Sequence, residues 1–152
     1  MDLALNNHES NLLRIHNAIL NAVHWDIKLT IPFAIKSKKA VQFGKGHAYS
    51  INKDEEASIR LIASNYMRVH NIKIIPSACL IYIVVAFRPP LKLKGLKELP
   101  PMDKVPDFDN LAKQAMDGVK KACFVDDRLA IFGGVSKIYA EKEYTQIYIA
   151  KY

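Results

Sequence analysis

The stretch PDFDNLAKQAMDGVKKACFVDD, running from Pro106 to Asp127, decides how the rest of the chain is read. Pro106 disfavours helix in the residue before it, so a helix is expected to begin just after it. Asp109 or Asn110 is placed to cap the first turn through a side-chain oxygen. From Leu111 to Cys123 the apolar residues recur at helical spacing. Leu111, Ala112, Ala115, Met116, Val119, Ala122 and Cys123 fall on one side. Asp109, Asn110, Lys113, Gln114, Asp117, Lys120 and Lys121 fall on the other. Asp109, Lys113 and Asp117 stack along one polar stripe, four residues apart. Beyond the helix, Phe124 and Val125 lead into a second acidic pair, Asp126 and Asp127.

Two chemistries fit this pattern. Carboxylate oxygens are the ligands magnesium prefers, and magnesium takes one or two of them together with waters and phosphate oxygens. A lysine beside such acids can hold a phosphate or stabilise charge developing in a reaction. Together these are the parts of a metal-dependent phosphodiesterase. The plainer alternative is an i,i+4 ion-pair ladder on a wet helix face, with one acidic pair as a cap and the other as a turn.

Length and composition narrow the class. The chain has 152 residues, enough for one domain with a real core. Half of its residues are apolar, which argues against disorder. A formal net charge of +7 fits a polyanionic partner such as nucleic acid. Cys79 and Cys123 lie in apolar surroundings and read as buried free thiols. Two cysteines give no zinc pattern. The residues from Met1 to Ser10 are polar, unlike a signal peptide, and no apolar stretch is long enough for a membrane span. A reducing cytoplasmic setting is the expectation.

Outward from the central stretch, further elements follow from periodicity. Asn11 to Val23 reads as an amphipathic helix with Leu12, Ile15, Ile19 and Val23 on one face. His8, His16 and His24 are eight apart, too far along a helix to share one metal ion. Asp26 to Phe33 alternates as a strand, with Pro32 marking an edge position. Lys36, Lys38, Lys39 and Lys45 then fall on a glycine-bearing loop suited to phosphate contact. Asn52 to His70 is a second long helix, opening on a capping-box-like Asn52 and Glu55. Ala78 to Phe87 is an almost unbroken apolar run, expected at the centre of a sheet. Arg88 to Pro106 reads as a long lysine-bearing loop without core pattern. Leu129 to Ala140 and Tyr144 to Ala150 read as strands. Gly133 and Gly134 mark a bulge or a close backbone approach in the first of them. The expected fold is α+β: one mixed β-sheet with packed helices, in a single domain.

The string D-x-D-N-L-x-K-x-x-x-D followed by F-x-D-D closely resembles the RusA family of Holliday junction resolvases, small homodimeric endonucleases. The resemblance is specific over the last third of the chain and looser from Leu29 to Ala63. It implies that Asp107, Asp109 and Asp127 build a magnesium site, in which manganese substitutes, and that Lys113 is the active-site lysine. It also implies DNA contact by a basic loop at Lys36, Lys38, Lys39 and Lys45 and by a strand lysine at Lys137. The chain departs from the family pattern at Val105-Pro106, where a basic residue is usual, and in the length of the segment from Arg88 to Pro106. On this reading residues 1–25 are an N-terminal helical extension and 26–152 the endonuclease domain. The function implied is magnesium-dependent cutting of four-way DNA junctions by paired nicks, in recombination and repair. Two alternatives stay open: a DNA-binding module without cleavage, and a nuclease for other branched DNA.

Overall fold

The computed structural model describes residues 11–36, 42–44, 47–49 and 53–152. Three helices are described: α1 (Asn11–Ala22), α2 (Lys53–Val69) and α3 (Phe108–Val119). The strands are β1 (Ile27–Ile31), β2 (Gln42–Gly44), β3 (His47–Tyr49), β4 (Cys79–Phe87), β5 (Ala130–Tyr139) and β6 (Tyr144–Lys151). Four of them form one sheet in the order β1-β6-β4-β5. β6 runs antiparallel to both β1 and β4, while β4 and β5 are parallel. The fold is α+β, and no described helix is long and apolar enough to cross a membrane.

β4 lies between β6 and β5, which is why its sequence is apolar at nearly every position. Successive side chains on a strand point to opposite faces. Ile81, Ile83 and Val85 therefore join Ile27, Leu29, Ile31, Ile147 and Ile149 on one face, beneath α2 and α3. Ile59, Ala63 and Met67 of α2 and Leu111, Ala115 and Val119 of α3 complete that core. The opposite face carries Tyr82, Val84 and Ala150 with Trp25, against which Ile19, Leu20 and Val23 pack. α1 thus covers the second face of the sheet. His16 does not turn toward another histidine: its Nδ1 lies 3.0 Å from the Tyr82 hydroxyl, which in turn meets Ser136 Oγ at 2.6 Å.

Several expectations are corrected. The basic segment contains two short strands: β2 pairs antiparallel with β3, Phe43 opposite Ala48. The segment from Arg88 to Pro106 is not free of order. It holds a 3-10 turn at Leu91–Leu93, and Met102 is buried. The irregularity in β5 falls before the glycines, where Ile131 is passed over between the pairs Cys79↔Ala130 and Leu80↔Phe132. Gly133 instead answers a close approach, since a Cβ there would meet Ile81 Cγ2 at 3.0 Å and its carbonyl oxygen at 3.2 Å.

Candidate active site

α3 carries most of the candidate residues, and its boundaries set where they stand. The helix begins at Phe108, two or three residues earlier than Asp109 or Asn110 as a cap would allow. Asp107 is the cap residue, in extended backbone with φ −71° and ψ 147°, and its carbonyl accepts the first helical bond from Leu111 N–H at 3.1 Å. Its side chain makes no capping hydrogen bond. Asp107 and Asp109 are exposed, and neither carboxylate has a hydrogen bond or ion pair among the described residues. Both stand at the helix N-terminus, where the unsatisfied N–H groups favour negative charge.

The other end of α3 closes early. The expected run to Cys123 stops at Val119, because Lys120 turns extended and Lys121 takes a left-handed conformation at φ 68°. The chain then folds back on itself: Lys121 N–H donates to Phe124 O at 2.7 Å, and Cys123 N–H to Val119 O at 2.9 Å. Fully buried Phe124 anchors this turn, and Ile75 N–H donates to Cys123 O at 2.8 Å. Burial pushes the Cys123 thiol up to about 12, so it stays protonated and inert. Arg60 of α2 donates to the Asp117 carbonyl at 3.0 Å, satisfying an end carbonyl of α3.

This turn delivers the second acidic pair and sorts its two members. The Asp126 carboxylate accepts from Arg128 N–H at 3.0 Å and caps the 3-10 turn Asp127–Leu129. That backbone hydrogen bond holds the Asp126 carboxyl below the usual carboxylate range, aided by its contact with Asp127 and by the nearby Arg128 and Lys120 charges, against a desolvation that opposes them. Asp127 also reaches toward the helix. Lys120 Nζ lies 3.5 Å from Asp127 Oδ2 and 3.5 Å from Asp117 Oδ1, bridging the helix to the loop.

The expected ladder of Asp109, Lys113 and Asp117 does not form as such. Asp117 pairs with Lys120, three residues on, while Lys113 is exposed and has no hydrogen bond or ion pair among the described residues. Gln114, expected on the wet side, is fully buried and donates Nε2 to Glu55 Oε1 at 3.2 Å. The buried stripe of α3 is Leu111, Gln114, Ala115, Gly118 and Val119. That i, i+3, i+4, i+7, i+8 spacing is the signal that could have placed Gln114 and Gly118 inside.

Among the described residues, no group of three His, Cys, Asp or Glu side chains is gathered so as to hold a metal ion. Asp107, Asp109 and Asp127 are thus not drawn into one closed shell. Their chemistry still fits magnesium, which needs one or two carboxylates and completes its octahedron with water and phosphate oxygens. Of the expected DNA-contacting lysines, Lys36 is exposed and its backbone N–H donates to Glu55 Oε1 at 2.9 Å. Lys38, Lys39 and Lys45 lie outside the described residues. Lys137 is turned inward: its ammonium donates to Lys104 O at 2.8 Å and to Pro106 O at 3.0 Å. Lys120, Arg60 and this use of Lys137 were not foreseen from the sequence.

The model of the endodeoxyribonuclease RusA family matches residues 32–150, which begin just after β1, run into β6 and include every candidate acid. No curated protein matches the chain.

Proposed function

From the premise that this chain belongs to the RusA endodeoxyribonuclease family of Holliday junction resolvases, we propose that it is a magnesium-dependent nuclease that cuts four-way DNA junctions as a homodimer. The observation that carries this reading is the pair Asp107 and Asp109. Two exposed carboxylates stand at a helix N-terminus, and no described residue takes up their charge. A binding module has no use for unpaired acids on the surface that must meet phosphates, because they repel DNA.

In this reading Asp107, Asp109 and Asp127 would hold the cation. When bound, it supplies a water of lowered pKa and polarises the scissile phosphate. Lys113 lies one turn beyond Asp109 on the same side of α3 and places a cationic head beside the transferring group, as point-charge stabilisation requires. Asp126 stays with the 3-10 turn and keeps the loop in shape. The net charge of +7 brings the phosphate backbone in without reading its sequence. Two copies related by a two-fold axis would present two such sites to the two-fold arms of a junction. Manganese offers the same preference for oxygen ligands and is expected to replace magnesium.

The deciding experiment offers a synthetic four-way junction, a replication-fork analogue and a linear duplex of the same sequence, each with magnesium. Paired symmetric nicks in the junction alone are expected. Equal cutting of fork and junction would move the assignment to branched DNA generally, and no cutting of any substrate would sink it.

A further inference from the structure

We propose that Lys137 is a positioning residue that fixes Asp107, and that it is not a DNA contact. This rests on the reading of the acids above. Lys137 stands on β5 opposite Val85, on the face of the sheet that α2 and α3 cover. Its stem runs across that face and its head emerges at the loop before α3. There the ammonium donates to two carbonyls of one short segment, Lys104 O at 2.8 Å and Pro106 O at 3.0 Å. An ammonium has three donors and no acceptor, so two of the three are committed to this loop. The Lys104 side chain is occupied elsewhere, in an exposed pair with Asp103 at 3.3 Å.

The consequence for Asp107 follows from peptide geometry. The Pro106 carbonyl and the Asp107 nitrogen belong to one rigid plane. Holding the Pro106 oxygen therefore sets the direction from which the Asp107 side chain leaves the backbone. The helix supplies the second constraint, through Leu111 N–H on the Asp107 carbonyl at 3.1 Å. Asp107 is gripped on both sides of its Cα while its carboxylate makes no capping bond. The loop contributes little of its own to this, since Val105 and Asp107 are exposed. Lys137 reaches the segment from 31 residues away along the chain and ties it to the central sheet. Only the third donor is left over, and a phosphate that drew the ammonium away from these carbonyls would release the acid it steadies.

The test uses Lys137→Met, which keeps the stem and removes the donors. A melting curve checks folding first. Junction affinity is measured without metal over a range of salt, and cleavage in single turnover with saturating enzyme. A positioning role predicts junction affinity within about twofold of the parent and an unchanged log-log salt slope, with a cleavage rate lower by about ten- to a hundredfold, the scale set by a misplacement near 1 Å. A DNA contact predicts the reverse: a slope shallower by about one unit and weaker binding, which would overturn the proposal. Amide exchange at Leu111 reads the clamp without any cleavage. Loss of one hydrogen bond's support is expected to speed it by about fivefold. Unchanged exchange would refute the clamp even if the parent proved inactive on junctions, so failure of the functional reading and failure of this proposal are separable. Should Lys137→Met not fold, the Lys137 ammonium is followed by nitrogen-15 NMR in the unaltered protein. Its signal is expected to stay fixed when metal-free junction is added, and a shift on binding would sink the idea.

Discussion

Replacing Gly118 by Ala tests how tightly α3 is set against α2. A Cβ at Gly118 would lie 2.5 Å from Ile59 Cγ2, 2.8 Å from Ile59 Cβ and 3.0 Å from Ile59 Cδ1. Ordinary carbon contacts are about 3.5–4.0 Å. Rotating the Ile59 side chain moves Cγ2 and Cδ1 but leaves Cβ where it is, so the relief must come from the backbones. Ile59 is fully buried and has nowhere open to go. Overpacking of this kind costs about 1–3 kcal/mol. The better helix propensity of alanine returns about 1 kcal/mol. With three contacts too short, the upper half of the range applies, and a net loss of about 1–2 kcal/mol is expected. For a domain of this size that lowers Tm by about 2–8 °C. Urea unfolding should show a lower midpoint at unchanged slope. Ile59→Ala alone is expected to cost about 2–5 kcal/mol through its cavity. The double substitution should be no worse than Ile59→Ala, because the new methyl enters the space vacated, giving a coupling of about 1–3 kcal/mol. Cleavage should fall more than stability, since α3 carries Asp109 and Lys113. Full additivity, or a gain of the whole alanine propensity by Gly118→Ala, would show that the two helices do not meet there.

Asp107→Asn, Asp109→Asn and Asp127→Asn are each expected to retain junction binding and lose cutting, because an amide keeps the shape without the charge that holds a cation; full cleavage by all three in magnesium would remove them from the site. Lys113→Ala should leave Tm unchanged within about 1 °C, given its exposure, and lower single-turnover cleavage by roughly a hundredfold or more; an unchanged rate would return Lys113 to the solvated helix face. Burial lowers the His16 pKa below its ordinary value, so the unfolded chain takes up its proton first. Stability from the neutral ring is therefore present above about pH 6.5 and declines as pH falls through the window beneath it, down to the folded value. His16→Gln should flatten that part of the Tm profile, and identical profiles for parent and variant would show that α1 does not depend on this contact.

The elements were legible because their periods are clean. The alternation from Ile27 to Ile31 and the apolar run of β4 have no competing reading once their lengths are considered. The D-x-D step could be located for the same reason: Pro106 fixes where α3 can begin. What escaped the sequence depends on partners far along the chain. Gln114 looked wet because glutamine usually is, and the described partner of its buried amide nitrogen, Glu55 of α2, lies 59 residues away. The hydrogen bonds of Lys137 were hidden because its acceptors, the carbonyls of Lys104 and Pro106, carry no side-chain signature at all. The early stop of α3 was hidden because Lys121 adopts a left-handed backbone without being glycine or asparagine.

The acids of this segment differ less in kind than in what already holds them. Asp126 has its carboxylate oxygen on a backbone N–H at 3.0 Å, a bond whose loss would unmake the turn that presents its neighbour. Besides its contact with Asp126, Asp127 has Lys120 at 3.5 Å, a long contact between two side chains that are 28% and 50% exposed. A pair of that kind is worth about 0–1 kcal/mol. Asp107 and Asp109 have no described partner to give up. A cation reaching the start of α3 therefore meets two acids with no described competing bond, while Asp127 is paired with Lys120 and Asp126 is bound by its own turn. Lys120 keeps Asp127 near α3 in the interim, since the same ammonium also reaches Asp117. Its contribution is steering the loop, and a divalent cation that replaces it at Asp127 would leave it its second partner on the helix.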